Sequence, residues 1–225
     1  MRALVTTLLA LTLLSGFVAA EEVENSPARW EKTIAGFEAK DREEPVAPGG
    51  VLFLGSSSIR MWELGKWFPG LPVLNRGFGG SEISDSLYYV DRIVLPYKPS
   101  AIVFYAGDND IARDKSPETV TEDFKKLATK VWEHLPETRI LFIGIKPSTA
   151  RWNLYPEMKK VNEAIRAMAQ SEPRLVLVDV ESVMLGEDGL PRQEFLQKDG
   201  LHMTDAGYAA WTKLVSPLLP APAAG

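Results

Sequence analysis

An α/β fold, a three-layer α/β/α sandwich around a five-stranded parallel sheet, is what this sequence predicts, and two observations carry the prediction. Apolar runs at 51–54, 71–75, 101–105, 139–145 and 174–180 are continuous instead of alternating, the pattern of strands buried on both faces. Segments with helical periodicity separate these runs, and strands that alternate with amphipathic helices build a parallel sheet joined by right-handed crossovers.

The first twenty residues stand apart from that pattern. Arg2 is followed by a mostly apolar run from Ala3 to Val18, and Val18-Ala19-Ala20 offers small residues for cleavage before Glu21. This is the pattern of a secretory signal peptide. Thr6, Thr7, Thr12, Ser15 and Gly16 interrupt the run, which is short for a membrane span. The expectation is a secreted or periplasmic protein that keeps no stable membrane anchor after cleavage.

Residues 21–49 read as an N-terminal helix and linker packed on the domain. Ser26-Pro27 is a cap followed by proline in the first turn, and Trp30, Ile34 and Phe37 recur at helical spacing, giving a helix over 26–40. Pro45, Pro48, Gly49 and Gly50 then break the helix and lead into the first strand. The main domain covers 50–219. Its clearest helices are 117–134, with Val120, Phe124, Leu127 and Val131 on one face, and 156–170, with Met158, Val161, Ile165 and Met168. A last helix runs over about 204–219, and the Pro/Ala-rich tail 220–225 is expected to fray.

Composition narrows the function. With 225 residues, 45% hydrophobic and 24% charged, one domain is the default. Without the leader, 24 basic residues face 30 acidic ones and no basic run remains, so nucleic acid is excluded as a partner. The absence of cysteine rules out a disulfide framework and an acyl anchor on cysteine, and two isolated histidines cannot build the usual zinc sets. No metal and no organic cofactor are expected. Oligomeric state is not legible.

In open parallel sheets, ligands bind beyond the carboxyl ends of the strands. The first strand ends in Gly55-Ser56-Ser57-Ser58, the second leads into Asn75-Arg76-Gly77-Phe78-Gly79-Gly80-Ser81, and the third into Gly107-Asp108-Asn109-Asp110. Asp199 and His202 lie in the loop after the fifth strand. A serine hydroxyl and a histidine on one sheet edge suggest nucleophilic catalysis by an activated hydroxyl.

These four blocks, in this order and spread over nearly the whole mature chain, resemble those of the SGNH hydrolases, the GDSL esterases and lipases. The resemblance implies their flavodoxin-like fold and a carboxylic ester hydrolase. It makes Ser57 the nucleophile, Asp199 and His202 the acid and base, and Gly80 and Asn109 oxyanion-hole residues. One departure is that Ser56 stands where the family places aspartate. That aspartate is not the acid of the triad, so the change bears on local loop hydrogen bonding.

The chemistry needs the same residue types. A serine hydroxyl is too weakly acidic to attack an ester unaided, so His202 would accept its proton and return it to the leaving group, with Asp199 fixing the tautomer. The tetrahedral oxyanion needs donors, and the N–H groups of Ser57 and Gly80 with the Asn109 amide would supply them. The large α/β-hydrolase class is excluded, because Ile59 occupies the final glycine of its Gly-x-Ser-x-Gly motif and the acid here lies only three residues from the histidine. His134, at a helix end before Pro136, has a surface role.

Arg151 and Trp152, in the Pro147–Pro156 loop, are candidate pocket residues, with Trp152 packed as a lid over the core and Arg151 a surface charge as the competing reading; Arg76 and Asp110 also neighbour the expected site. The reading as a whole is an exported serine esterase acting on a small-molecule or glycan ester with a short acyl group such as O-acetyl. A lysophospholipase or thioesterase, an O-acyltransferase, and a noncatalytic carbohydrate-binding module are the alternatives.

Overall fold

A computed structural model describes residues 26–220; the leader expected at 1–20 and the tail beyond Pro220 lie outside the described residues. After a 3-10 turn at Pro27–Trp30, helix α1 spans Glu31–Glu43. Strand β1 (Val51–Gly55) runs into the short helices α2 (Ser57–Arg60) and α3 (Leu64–Trp67), followed by β2 (Val73–Gly77), α4 (Ile83–Tyr88) and α5 (Val90–Ile93). Then come β3 (Ala101–Tyr105), α6 (Asp108–Ala112), α7 (Pro117–His134), β4 (Arg139–Ile143), α8 (Tyr155–Ser171), β5 (Leu175–Val178), α9 (Glu181–Met184) and α10 (Asp205–Val215).

The strands form one five-stranded sheet of order β2-β1-β3-β4-β5, and every neighbouring pair is parallel. Side-chain alternation sorts the core into two layers. Leu52, Leu54, Ile102, Phe104, Ile140 and Phe142 pack with the buried faces of α4, α5, α7 and α8. Val51, Phe53, Val103, Tyr105, Leu141 and Ile143 pack with Ile59, Trp62, Tyr208, Trp211 and Val215 on the other side. Helix α7 shows why these segments are helical: Ser116 Oγ accepts from Thr119 N at 3.2 Å, Pro117 opens the first turn, and Val120, Phe124, Leu127 and Val131 form one buried stripe.

Several boundaries differ from expectation, for local reasons. Strand β2 is shifted two residues from 71–75, because Pro72 has no N–H and its carbonyl is taken by Val51 N at 2.9 Å. Strand β4 stops at Ile143 instead of 145, since Ile145 N and O both bond the Asn162 side chain, at 2.7 and 3.0 Å. The last helix ends at Val215 and continues as a 3-10 turn over Ser216–Leu218.

The sheet's order reverses at β1, which lies between β2 and β3, and such a switch point opens a crevice at the strand ends. At this crevice Gly55 comes very close to β3. Its φ is 138°, and a Cβ there would sit 1.9 Å from the Tyr105 carbonyl oxygen. Glycine therefore lets β1 turn into the serine-bearing helix without pushing β3 away.

Gly55→Ala is expected to destabilise the protein by at least about 2 kcal/mol, as overpacking and backbone strain add at one position. The midpoint and slope of urea unfolding measure it, and an unchanged midpoint would contradict this reading of Gly55.

Candidate active site

Ser57 is the first residue of α2, at the carboxyl end of the sheet's second strand in spatial order. The turn is held by main chain: Ser56 N donates to Tyr105 O at 2.9 Å, and Ser56 O accepts from Ile59 N and Arg60 N. The Ser56 hydroxyl itself is buried, with no hydrogen-bond partner among the described residues. A serine in place of the family's aspartate thus leaves a loop braced by its backbone.

From the other end of the chain, the loop before α10 brings His202 to Ser57. Gln197 N donates to His202 O at 2.7 Å and Gln197 Nε2 to Met203 O at 2.9 Å, while Ala150 N ties down Gly200 O at 3.0 Å. The result places His202 Nε2 3.1 Å from Ser57 Oγ and His202 Nδ1 2.6 Å from Asp199 Oδ2. An ionised carboxylate only accepts, so Nδ1 carries the proton and Nε2 is left to accept from the serine hydroxyl. Asp199 Oδ1 accepts from the N–H groups of Leu201 and His202 at 2.9 and 3.0 Å. The hydrogen bond from His202, with that from Leu201 N, holds the Asp199 carboxyl down at about 2, so it stays charged across the working pH range.

Asn109 enters from α6, after β3. Its Nδ2 donates to Ser81 O at 2.9 Å, and its Oδ1 accepts from Arg151 Nη2 at 2.9 Å. These two bonds fix which way the amide faces and leave one Nδ2 hydrogen available. The N–H groups of Ser57 and Gly80 have no acceptor among the described residues. Arg151 Nη1 also lies 3.1 Å from Asp108 Oδ2, an ion pair by distance but not aligned as a hydrogen bond. Behind Asp108 is Lys146, fully buried, whose Nζ donates to Tyr105 OH at 3.1 Å and lies 3.7 Å from Asp108 Oδ2. Burial pulls the Lys146 ammonium below its ordinary range, and Asp108 opposes that shift.

Ser57, Gly80, Asn109 and His202 face one open cleft of about 580 Å³. Arg151 lines it as well. The other sequence candidates do not. Arg76 is 3% exposed, bonds both Asp41 oxygens and Tyr97 OH, and lies over the rings of Phe37 and Tyr97, so it braces α1 instead of meeting a substrate. Asp110 is fully buried and accepts from Ile83 N at 3.1 Å, at the start of α4. Trp152 stacks on Tyr155 at 5.4 Å and packs against the core, the competing reading of that residue. His134 is exposed at the end of α7 and is not among the cleft-lining residues, with Nδ1 against Lys130 O.

Sequence reasoning missed four cleft residues: Trp30, Thr33, Arg60 and Arg113. It also missed the buried Lys146, whose only signal was a lysine ending the apolar run Ile143-Gly144-Ile145. Among the described residues, no group of three or more His, Asp and Glu is placed to hold a metal ion.

A doubly wound α/β domain with a serine hydroxyl hydrogen-bonded to a histidine at its switch point is the arrangement of a class of ester hydrolases. The chain belongs to the GDSL-like Lipase/Acylhydrolase family, whose model matches residues 58–210, beginning one residue after Ser57. It is 27% identical over 188 residues to platelet-activating factor acetylhydrolase IB subunit alpha1 of Bos taurus, covering 81% of this chain and 78% of that protein. Among solved structures, one from Streptococcus pneumonia, provisionally assigned as a platelet activating factor, superposes with a TM-score of 0.77 at 22% identity, covering 90% of this chain and 99% of that one. A GDSL-like lipase from Bacteroides thetaiotaomicron gives a TM-score of 0.68 at 19% identity, with coverage of 86% and 96%.

Two tests follow from the geometry. Asn109→Ala is expected to lower kcat by about a hundred- to a thousandfold with a smaller change in KM, the cost of one oxyanion donor; steady-state kinetics on a nitrophenyl ester read it. Burial pushes the Asp110 carboxyl up to about 7, opposed by Lys115 and aided by Glu82. The folded state therefore binds a proton at this site that the unfolded chain has released, and the Asp110 contribution to stability falls as pH rises from roughly 4 through 7. The difference in urea stability between Asp110→Asn and the native protein should therefore shift in favour of the variant as pH rises across that range, and parallel curves would rule the effect out.

Proposed function

We propose that the protein is an exported serine esterase that hydrolyses carboxylic esters with short acyl groups, O-acetyl among them, through an acyl-Ser57 intermediate. The observation that carries the reading is the hydrogen-bond path from Ser57 Oγ through His202 to Asp199. Ser57 Oγ attacks the ester carbonyl as its proton passes to Nε2, and the resulting imidazolium is stabilised by the Asp199 carboxylate. Negative charge on the carbonyl oxygen meets the N–H groups of Ser57 and Gly80 and the free hydrogen of the Asn109 amide. His202 then protonates the departing alcohol. In the second half it takes a proton from water, whose oxygen attacks the acyl carbon and releases the acid with Ser57 restored.

The cleft lining supports a short acyl group. A long chain needs an extended apolar groove, whereas Trp30 and Leu201 are the only large apolar side chains among the lining residues. A relative named as an acetylhydrolase points the same way. Solvent reaches the site, since the His202 side chain is 28% exposed, so water has access as acyl acceptor. Export is supported by the Arg2 start and the apolar run from Ala3 to Val18.

Nitrophenyl esters of increasing chain length test the reading. The expected result is the highest kcat/KM at acetate or butyrate, with a loss of at least about a thousandfold in Ser57→Ala and His202→Ala proteins that keep the native unfolding midpoint. A maximum at long chains overturns the short-acyl assignment, and activity retained in Ser57→Ala overturns the mechanism.

A further inference from the structure

We propose that the esters cleaved here carry an anionic group, a carboxylate, phosphate or sulfate, and that Arg60 recognises it; this rests on the esterase reading above. The chain as a whole is acidic, with 30 Asp and Glu against 25 Lys and Arg. The cleft wall runs the other way. Arg60, Arg113 and Arg151 line it, and among the described residues no carboxylate does. The nearby carboxylates lie beneath that wall, with Asp108 4%, Asp110 0% and Glu82 9% exposed. Asp199 is engaged by His202 and faces the neighbouring groove.

Two of the three arginines have structural partners. Arg113 Nη1 donates to Glu82 Oε1 at 2.5 Å, and Arg151 is shared between Asn109 and Asp108. Arg60 has none: it is exposed, ends α2 three residues after Ser57, and its guanidinium makes no hydrogen bond or ion pair among the described residues. Its place is nonetheless built. A Cβ on Gly79 would lie 2.8 Å from Arg60 Nε and 3.2 Å from Nη2, so the absent side chain at 79 is what lets the guanidinium lie against the oxyanion loop.

An arginine with five N–H donors, given room beside the nucleophile and no carboxylate of its own, is suited to an oxyanion brought by the substrate. The other two cations are compensated by their carboxylate partners, Glu82 for Arg113 and Asp108 for Arg151, which leaves Arg60 as the uncompensated charge of the wall. Recognition of this kind lowers KM for charged esters, because the anion is bound in the ground state as well as in the transition state.

Two pairs of esters test the proposal. 4-Nitrophenyl hydrogen succinate against 4-nitrophenyl butyrate places the charge on the acyl side. 4-Acetoxybenzenesulfonate against 4-acetoxybenzenesulfonamide places it on the alcohol side. The native protein is expected to favour the charged member of at least one pair, and the responding pair locates the anion. Arg60→Gln should lower that charged-to-neutral ratio of kcat/KM by roughly ten- to a hundredfold, mainly through KM, the loss of a charge-assisted bond. Arg60→Lys should recover part of it. Raising NaCl from about 0.05 to 0.5 M should narrow the native preference. Arg166→Gln, which removes a surface charge paired with Asp179, should leave the ratio unchanged.

Equal ratios in native and Arg60→Gln proteins for both pairs overturn the proposal while the esterase reading stands. The converse is read by calorimetry of the uncleaved esters with Ser57→Ala. If the native protein cleaves none of them but Ser57→Ala binds the charged member more tightly in an Arg60-dependent way, the anion site stands and the esterase reading falls. No charge preference in binding or in turnover removes the anion site altogether.

Discussion

The contact between His202 Nε2 and Ser57 Oγ joins residues 145 positions apart, and the functional geometry hangs on it. Neither residue is held by the other. Ser57 is placed by β1 and by the Ser56–Tyr105 backbone bond, and His202 by the pairing of Gln197 with the backbone of His202 and Met203. Parallel strands are what make the meeting possible, since they deliver every carboxyl end to one edge. The close approach of Gly55 to Tyr105 then sets how tightly the serine turn sits against β3.

A second layer of order lies beneath that contact. Lys146 keeps company with Asp108 in the interior, Asp108 lies against Arg151, and Arg151 holds the oxygen of the Asn109 amide. An amide with its oxygen engaged presents its nitrogen, which is the donor an oxyanion requires. The buried charges therefore act through orientation. Burying a lone ammonium would cost several kcal/mol by desolvation; the Tyr105 hydroxyl and the Asp108 carboxylate offset that cost for Lys146.

Much of this was legible in the sequence. The strands were readable because buried parallel strands are continuously apolar, and the long helices α7 and α8 because their stripes recur at helical spacing. Ser57, Gly80, Asn109, Asp199 and His202 were legible as short motifs at strand ends, and the structure brings all five to one region. Residues whose place depends on a distant partner were not. Arg76 follows β2 directly in the expected pattern, yet Asp41, 35 residues earlier, draws it under α1. Trp30 and Thr33 reach the cleft because the 3-10 turn and α1 dock beside the Gly79-Gly80 loop, a packing choice that no local pattern announces. The two-residue shift of β2 had a readable cause in Pro72, but the partner of its carbonyl did not.

The central claim is that His202 activates Ser57, and among its close neighbours Ser56 and Ser58, Ser57 alone, toward an electrophilic centre. Labelling with a fluorophosphonate tests this most directly: Ser57 Oγ bonds phosphorus, fluoride leaves, and His202 takes the serine proton. Fragmentation mass spectrometry of the labelled peptide then resolves the three serines. The expected result is a single adduct on Ser57, absent from Ser57→Ala and formed far more slowly in His202→Ala. An adduct on Ser56 or Ser58, or one on Ser57 that forms equally fast without His202, would contradict it.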